Sequence, residues 1–340
     1  MDSPGPGGRA SVNLVGMSSK VVIQSFLDPR LEPAGREWLA SAADEVQGGV
    51  SDARFVSLLS LAARKLGFAV RKPWSLTEVE RTTASTLMEG WNPTRWTGLE
   101  AARFVLVMSR PDLLEETGPA AILNAFKFAD EGEQCALYRC LGHLPQPAAY
   151  LWRAKEGCRT NMLSVFEANV LDTPYPALHF DELALNQAAI KALFIGVPLW
   201  RLWNLDKRLS PELARMALDL AVERRAATRP VQPELWMCLG TFGGERGLAA
   251  LEEELAPHLA AGGPPDARCP ESGALRFTPE GARAAVLALG RAGASARLGE
   301  LAVTAPDFLR PEIERALRGG ADQTAWAALD PREASPQPQP

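Results

Sequence analysis

The sequence predicts an all-α protein of stacked antiparallel helices, with solenoid-like or HEAT-like packing and no significant β-sheet. Three observations lead there. Apolar residues recur at helical spacing along most of the chain. Helix-start signals stand in front of many of these runs. No convincing run alternates Val, Ile and aromatic residues with polar ones between turn signals. A chain of 340 residues, 46% of them hydrophobic, is long enough to bury a large core.

The elements follow in order. Residues 1–19 are rich in Gly, Pro and Ser and read as a disordered tail, with Met17 as an alternative start to Met1. Glu32-Pro33 opens a helix whose stripe is Trp38, Leu39, Ala42 and Val46, stopped by Gly48-Gly49. Ser51 caps the next, with Phe55, Leu58, Leu59, Ala62 and Leu66 on one face. Capping-box spacing occurs at Ser75/Glu78, Thr97/Glu100 and Asp130/Glu133: the first side chain accepts from a free backbone N–H, and the acid reaches back to the cap. Ser210-Pro211-Glu212 and Thr278-Pro279-Glu280 place Pro in a first helical turn, where its missing N–H is harmless. A Gly/Pro-rich stretch at 261–275 divides a helical domain over 20–260 from a C-terminal helical extension over 276–330. Residues 331–340 form a second tail.

Composition excludes several function classes. The formal net charge of -5 gives no overall basic field for nucleic acid. No apolar run reaches the roughly 20 residues of a membrane helix, and the start has no signal-peptide pattern. Five scattered cysteines fit reduced thiols, which points to a cytoplasmic location. Phosphate-loop, dinucleotide, zinc-protease and nucleophile-elbow motifs are missing, so no cofactor and no metal are expected. Cys140 and His143 share i,i+3 spacing, which reads as a buried thiol and a helix-end histidine rather than a metal pair.

Residues 152–236 differ in texture. They carry Glu156-Gly157 with Arg159 and Asn161, Val165-Phe166-Glu167-Ala168, Pro174-Tyr175-Pro176 and Phe180-Asp181-Glu182. Asn186-Gln187, Lys191-Ala192 with Phe194, Glu223-Arg224 and Pro233-Glu234-Leu235-Trp236 follow. This ordered set resembles the EboA family, with two departures: Leu185 stands where an aromatic often precedes Asn-Gln, and Val222 where a His precedes Glu-Arg. The resemblance implies a bacterial, soluble accessory factor in the traffic of secondary-metabolite precursors. Such a factor acts by binding a small hydrophobic or aromatic metabolite, or partner proteins of the same pathway.

Helical wheels give a second reading of these residues. The stripe Met162, Val165, Phe166 and Val170 contains Asn169. The stripe Leu183, Ile190, Leu193 and Phe194 contains Asn186 and Gln187, with Lys191 beside it. The stripe Leu213, Met216, Ala217 and Leu220 has Arg224 on its centre line. Buried polar groups without partners each cost about 1–3 kcal/mol, so these five are expected to satisfy one another or a ligand. With Arg159, Asn161 and Glu167 they make the candidate ligand-binding set. The alternative for the cluster is a hydrogen-bond network that fixes helix register. Pro174-Tyr175-Pro176 reads as a rigid extended connector. Two other function classes stand beside metabolite binding: a purely structural helical scaffold, and an enzyme using Glu156, Glu167 and Asp206 with Lys191 or Arg159. The enzyme ranks last, because those carboxylates have no diagnostic spacing.

Overall fold

A computed structural model describes residues 18–262 and 276–330. The tail and linker readings over 1–17, 263–275 and 331–340 lie outside the described residues. Helix is already present at residue 18, inside the stretch read as tail. The described chain is all-α; among the described residues the only β pairing is an isolated antiparallel bridge between Pro73 and Thr97. It divides into two compact units, one through Asp181 and one from Glu182, a boundary inside the span read as one domain.

The first unit holds α1 (18–27), α2 (Pro33–Gln47), α3 (Asp52–Lys65), α4 (Glu78–Leu87) and α5 (Gly98–Met108). It continues with α6 (Gly118–Phe128), α7 (Glu131–Cys140), α8 (Leu151–Gly157), α9 (Leu163–Val170) and α10 (Tyr175–His179). Its centre is α5, every residue of which is buried. Phe104, Val105, Leu106 and Val107 are fully enclosed, each contributing about 1.5–3 kcal/mol of apolar burial. α2, α3 and α7 pack on α5, and α9 packs on α7, so contacts skip sequence neighbours as well as joining them.

Caps set the helix starts. Thr97/Glu100 and Asp130/Glu133 form complete capping boxes, and Ser51 caps α3. The box expected at Ser75/Glu78 forms two residues later, at Thr77/Glu80, which repeats the same spacing. Arg30 decides between them: its guanidinium pairs with both Glu80 oxygens at 2.7 and 2.8 Å and donates to the Ser75 carbonyl at 2.9 Å, holding Ser75 outside the helix. Pro174-Tyr175-Pro176 is not an extended connector. Pro174 takes an αR conformation as the cap of α10, and Pro176 sits in its first turn, where no N–H is needed. Asp172, with φ 58°, turns the chain into this helix.

The second unit holds α11 (Glu182–Ile195), α12 (Pro211–Ala226), α13 (Gly244–Ala261), α14 (Pro279–Arg291), α15 (Ser295–Thr304) and α16 (Arg310–Leu317). Short 3-10 helices run over Pro233–Leu239 and Gln323–Leu329. Here α14 is the enclosed helix. It touches α13, α15, α16 and both of these 3-10 helices. No helix among the described residues is long and apolar enough to cross a membrane.

Candidate functional site

The most chemically loaded part of the first unit is the pairing of α5 with α7. Glu100, near the start of α5, accepts from Arg139 Nε at 2.8 Å near the end of α7. Arg103, one turn along α5, meets Glu133 near the start of α7 at 3.5 Å. The two crossed pairs mean that the helices run antiparallel. Each carboxylate also closes a capping box: Thr97 N–H donates to Glu100 Oε2 at 2.6 Å, and Asp130 N–H to Glu133 Oε2 at 3.1 Å. Ser60 Oγ–H and the Leu59 carbonyl complete the inner pair, bonded to Glu133 at 2.6 Å and Arg103 Nε at 3.1 Å. Breaking one member of such a buried pair leaves the other charge stranded, at roughly 3–5 kcal/mol.

The outer pair has a different surrounding. Arg139 and Glu100 form the floor of a pocket of about 460 Å³ lined also by Arg95, Thr97, Glu131, Leu163, Ser164 and Glu167. The Arg139 side chain is only 9% exposed. Its guanidinium lies 5.6 Å over the Trp96 ring, and among the described residues its one hydrogen bond is from Nε to Glu100. Both Nη groups therefore have N–H bonds to offer, held in a fixed plane by the carboxylate below and the indole beside it. Across the pocket Glu131 accepts from Ser164 Oγ–H with one oxygen. Counting Arg95 and Arg139 against Glu100, Glu131 and Glu167, the lining carries one net negative charge. Such an arrangement offers fixed donors and acceptors to a charged small molecule. Its hydroxyl–carboxylate contact is that of Ser164 on Glu131, and no group of three His, Cys, Asp or Glu placed for a metal occurs among the described residues.

A second cleft, of about 850 Å³, lies at the end of α5 and beside α1. Apolar walls come from Val21, Met108, Leu113 and Leu114, and cations from Lys20 and Arg110. Arg110 spends Nε and Nη2 on Asp112 at 2.9 and 2.6 Å, while Nη1 is buried without a partner. His143 closes the base. It is wedged edge-on against Trp91 and Phe104, and burial pushes its pKa down to about 3, so the ring is neutral with Nδ1 2.9 Å from Ser19 Oγ.

The sequence model of the EboA family, described as metabolite traffic protein EboA, matches residues 19–240, well over half of the chain. The chain belongs to the EboA family. No curated protein and no solved structure matches it.

The EboA motif residues divide between the units. Gly157 and Asn169 meet inside the first. Asn169 is buried between α8 and α9, donating to the Ala154 carbonyl at 2.8 Å, with its Oδ1 unpartnered. A Cβ on Gly157 would stand 2.8 Å from Asn169 Nδ2 and 2.5 Å from the Tyr138 hydroxyl, so close packing explains this glycine. Glu167 of the Val165–Ala168 segment lines the polar pocket. Arg159 is exposed and pairs with Glu156, and Asn161 is exposed as well.

In the second unit Asn186 is buried and donates to Ser210 Oγ at 3.2 Å; that oxygen also accepts from Leu213 N–H to cap α12. Asn186 thus ties α11 to the start of α12. Gln187 is exposed and Lys191 half-buried. Arg224 donates to the Pro230 carbonyl at 2.7 Å beyond the end of its helix. The five residues placed together by the wheels are split between units, with Asn169 alone in the first. Leu183 and Phe194 were assigned to the buried stripe of α11 and are each 61% exposed. The helix is apolar around most of its circumference, so a wheel does not fix which face is covered. In α12 the guanidinium drawn inward is that of Arg225, one position beyond Arg224. Asp206 bonds Arg291 and the Gln323 N–H, a structural clamp rather than a free carboxylate.

Sequence reasoning missed Arg95, Glu131, Arg139 and Ser164. The signal was present for Arg139: it shares a helical face with Cys135 and Ala136, both buried, the same anomaly that singled out Asn169.

Proposed function

We propose that this EboA-family protein serves metabolite traffic by binding a charged small molecule in the pocket floored by Arg139. One observation carries the reading: a guanidinium fixed by Glu100 and Trp96, with both Nη groups uncommitted, faces a pocket of about 460 Å³. Pre-orientation of this kind lowers the ordering cost of binding. The volume lies within the roughly 300–1,000 Å³ usual for small-molecule sites. Glu167 is the member of the sequence-derived set that this proposal keeps; Asn169 and Asn186 are read as structural.

The test is thermal unfolding of the purified protein with and without extract from producing cells. A ligand selective for the folded state adds about 2.7 kcal/mol at a hundredfold excess over Kd. The expected result is a raised midpoint in the wild type, lost in Arg139→Lys, which keeps the charge but not the planar fork. An equal rise in both proteins removes the pocket from consideration.

A second reading has one observation in its favour, the apolar walls of the Lys20–Leu114 cleft, which suit the hydrophobic or aromatic metabolite expected from the sequence. Leu113→Asp, and not Arg139→Lys, would then abolish the response to extract.

A further inference from the structure

The lining of the Arg139 pocket narrows the ligand class, resting on the reading that this pocket is a binding site. We infer that the pocket takes a zwitterion of the amino-acid type, with its carboxylate on the Nη groups of Arg139 and its ammonium on Glu131.

Two observations favour opposite charges on one ligand. The first is Arg139, more than nine-tenths buried, with one N–H spent on Glu100 and both Nη groups unspent. Parallel N–H bonds from such a fork match the two oxygens of a carboxylate. The second is the balance of the lining. Three carboxylates, Glu100, Glu131 and Glu167, outnumber the two guanidiniums of Arg95 and Arg139. A plain anion would add to that excess, and a plain cation would leave the Arg139 fork unmet. A ligand carrying both charges satisfies each side.

Glu131 is the acceptor for the ammonium. Its Oε1 takes the Ser164 hydroxyl, which fixes the carboxylate plane, and its exposed Oε2 takes no side-chain bond among the described residues. It belongs to α7 with Arg139, but eight residues earlier. That separation spans about 12 Å of helix axis, and both side chains line the same pocket. Leu163 supplies an apolar contact for a ligand side chain.

The experiment uses the full chain and three probe mixtures of equal total concentration, read by saturation-transfer NMR and thermal unfolding. One holds the common L-amino acids, the second their N-acetyl derivatives, which lack the ammonium, and the third the corresponding amines, which lack the carboxylate. Only the first is expected to bind the wild type. Glu131→Gln, an exposed and conservative change, is expected to weaken that binding roughly tenfold or more, the loss of one charge-assisted contact. Arg139→Lys is expected to weaken it as well. Equal binding of the N-acetyl mixture, with Glu131→Gln neutral, overturns the zwitterion while leaving an anion site at Arg139. No binding by the amino-acid mixture also overturns it. A response to cell extract that is lost in Arg139→Lys then shows that the pocket itself still binds something else.

Discussion

Replacing Gly157 by Ala tests whether the Glu156-Gly157 motif is a packing device. Gly157 ends α8, and its backbone is not in the left-handed region, so Ala would be tolerated by φ alone. On helix propensity Ala is favoured by up to ~1 kcal/mol. The surroundings oppose it. The new Cβ would lie 2.5 Å from Tyr138 Oη, 2.6 Å from Tyr138 Cζ and 2.8 Å from Asn169 Nδ2. Tyr138 and Asn169 are both about 1% exposed and have nowhere to move. Overpacking of this kind costs about 1–3 kcal/mol, and displacing Asn169 from the Ala154 carbonyl adds about 1 kcal/mol. The net expectation is a loss of about 2 kcal/mol. For a unit of this size that lowers the midpoint by roughly 4–8 °C. Urea unfolding followed by circular dichroism measures it. Adding Tyr138→Phe removes the Oη contact and gives up only a long 3.4 Å bond to the Arg153 carbonyl, so it restores part of the loss. A Gly157→Ala protein as stable as the wild type would refute the reasoning, and the glycine would then need a functional explanation.

Three further outcomes follow from the same geometry. Arg139→Gln alone strands the buried Glu100 and is expected to cost about 3–5 kcal/mol in urea unfolding, whereas the Glu100→Gln/Arg139→Gln double variant costs clearly less because no charge is left unpaired. Asn186→Ala removes the link to Ser210 Oγ and is expected to cost about 1–2 kcal/mol without altering any response to extract. Glu254 is fully enclosed, and burial pushes its carboxyl up to about 7 against the pull of Arg225 at 2.9 Å. The folded state therefore holds a proton that the unfolded chain has released above about pH 4.5, and stability falls by up to ~1.4 kcal/mol per pH unit from there to about 7. Burial lowers the pKa of His258, which works in the opposite direction below 6.5, so Glu254→Gln should leave a protein whose stability rises with pH over that range. A pH profile of unfolding unchanged by the substitution would exclude this account.

How much was legible depended on the range of the interaction. Thr97, Asp130 and Ser51 were readable as caps because the cap and the backbone N–H that donates to it lie within one turn. The second role of Glu100 and Glu133, as partners of Arg139 and Arg103, was not readable, because the pairs are 39 and 30 positions apart and depend on which helices meet. The wheel held for Val165, Phe166, Asn169 and Val170 of α9, which are all buried, but not for Met162, which caps the helix and is 47% exposed. It failed for α11, where alanines and leucines surround the axis and neighbours alone decide the covered face. Polar residues on buried faces differ in how their donors are used, which only three dimensions show. Asn186 donates to Ser210 Oγ at a neighbouring helix start. Arg139 spends one donor and presents the others to a pocket.

The family match ends at residue 240, but the packing of the second unit does not. Leu235, Trp236, Met237 and Cys238 are all 0% exposed, and α14, from beyond the matched span, lies against them. The later segment also supplies polar ties. Arg291 donates to the Met237 carbonyl at 3.3 Å, Trp326 Nε1 to the Pro233 carbonyl at 3.2 Å, and Gln323 Nε2 to the carbonyls of Trp200 and Leu202 at 2.7 and 2.5 Å. A chain ending at residue 240 would uncover the side of those four side chains that α14 covers, α12 still lying on the other, and would strip four backbone acceptors. Full exposure of the four would cost about 6–12 kcal/mol at about 1.5–3 kcal/mol each, so even partial exposure is a large part of an ordinary domain's stability. Hydrogen exchange on the truncated chain is therefore expected to show the amides of Leu235–Leu239 unprotected, and proteases to cut within 182–240. Retained protection at Trp236 would mean that the matched span closes its own core, and that the helices after 240 are an addition to a finished fold rather than its completion.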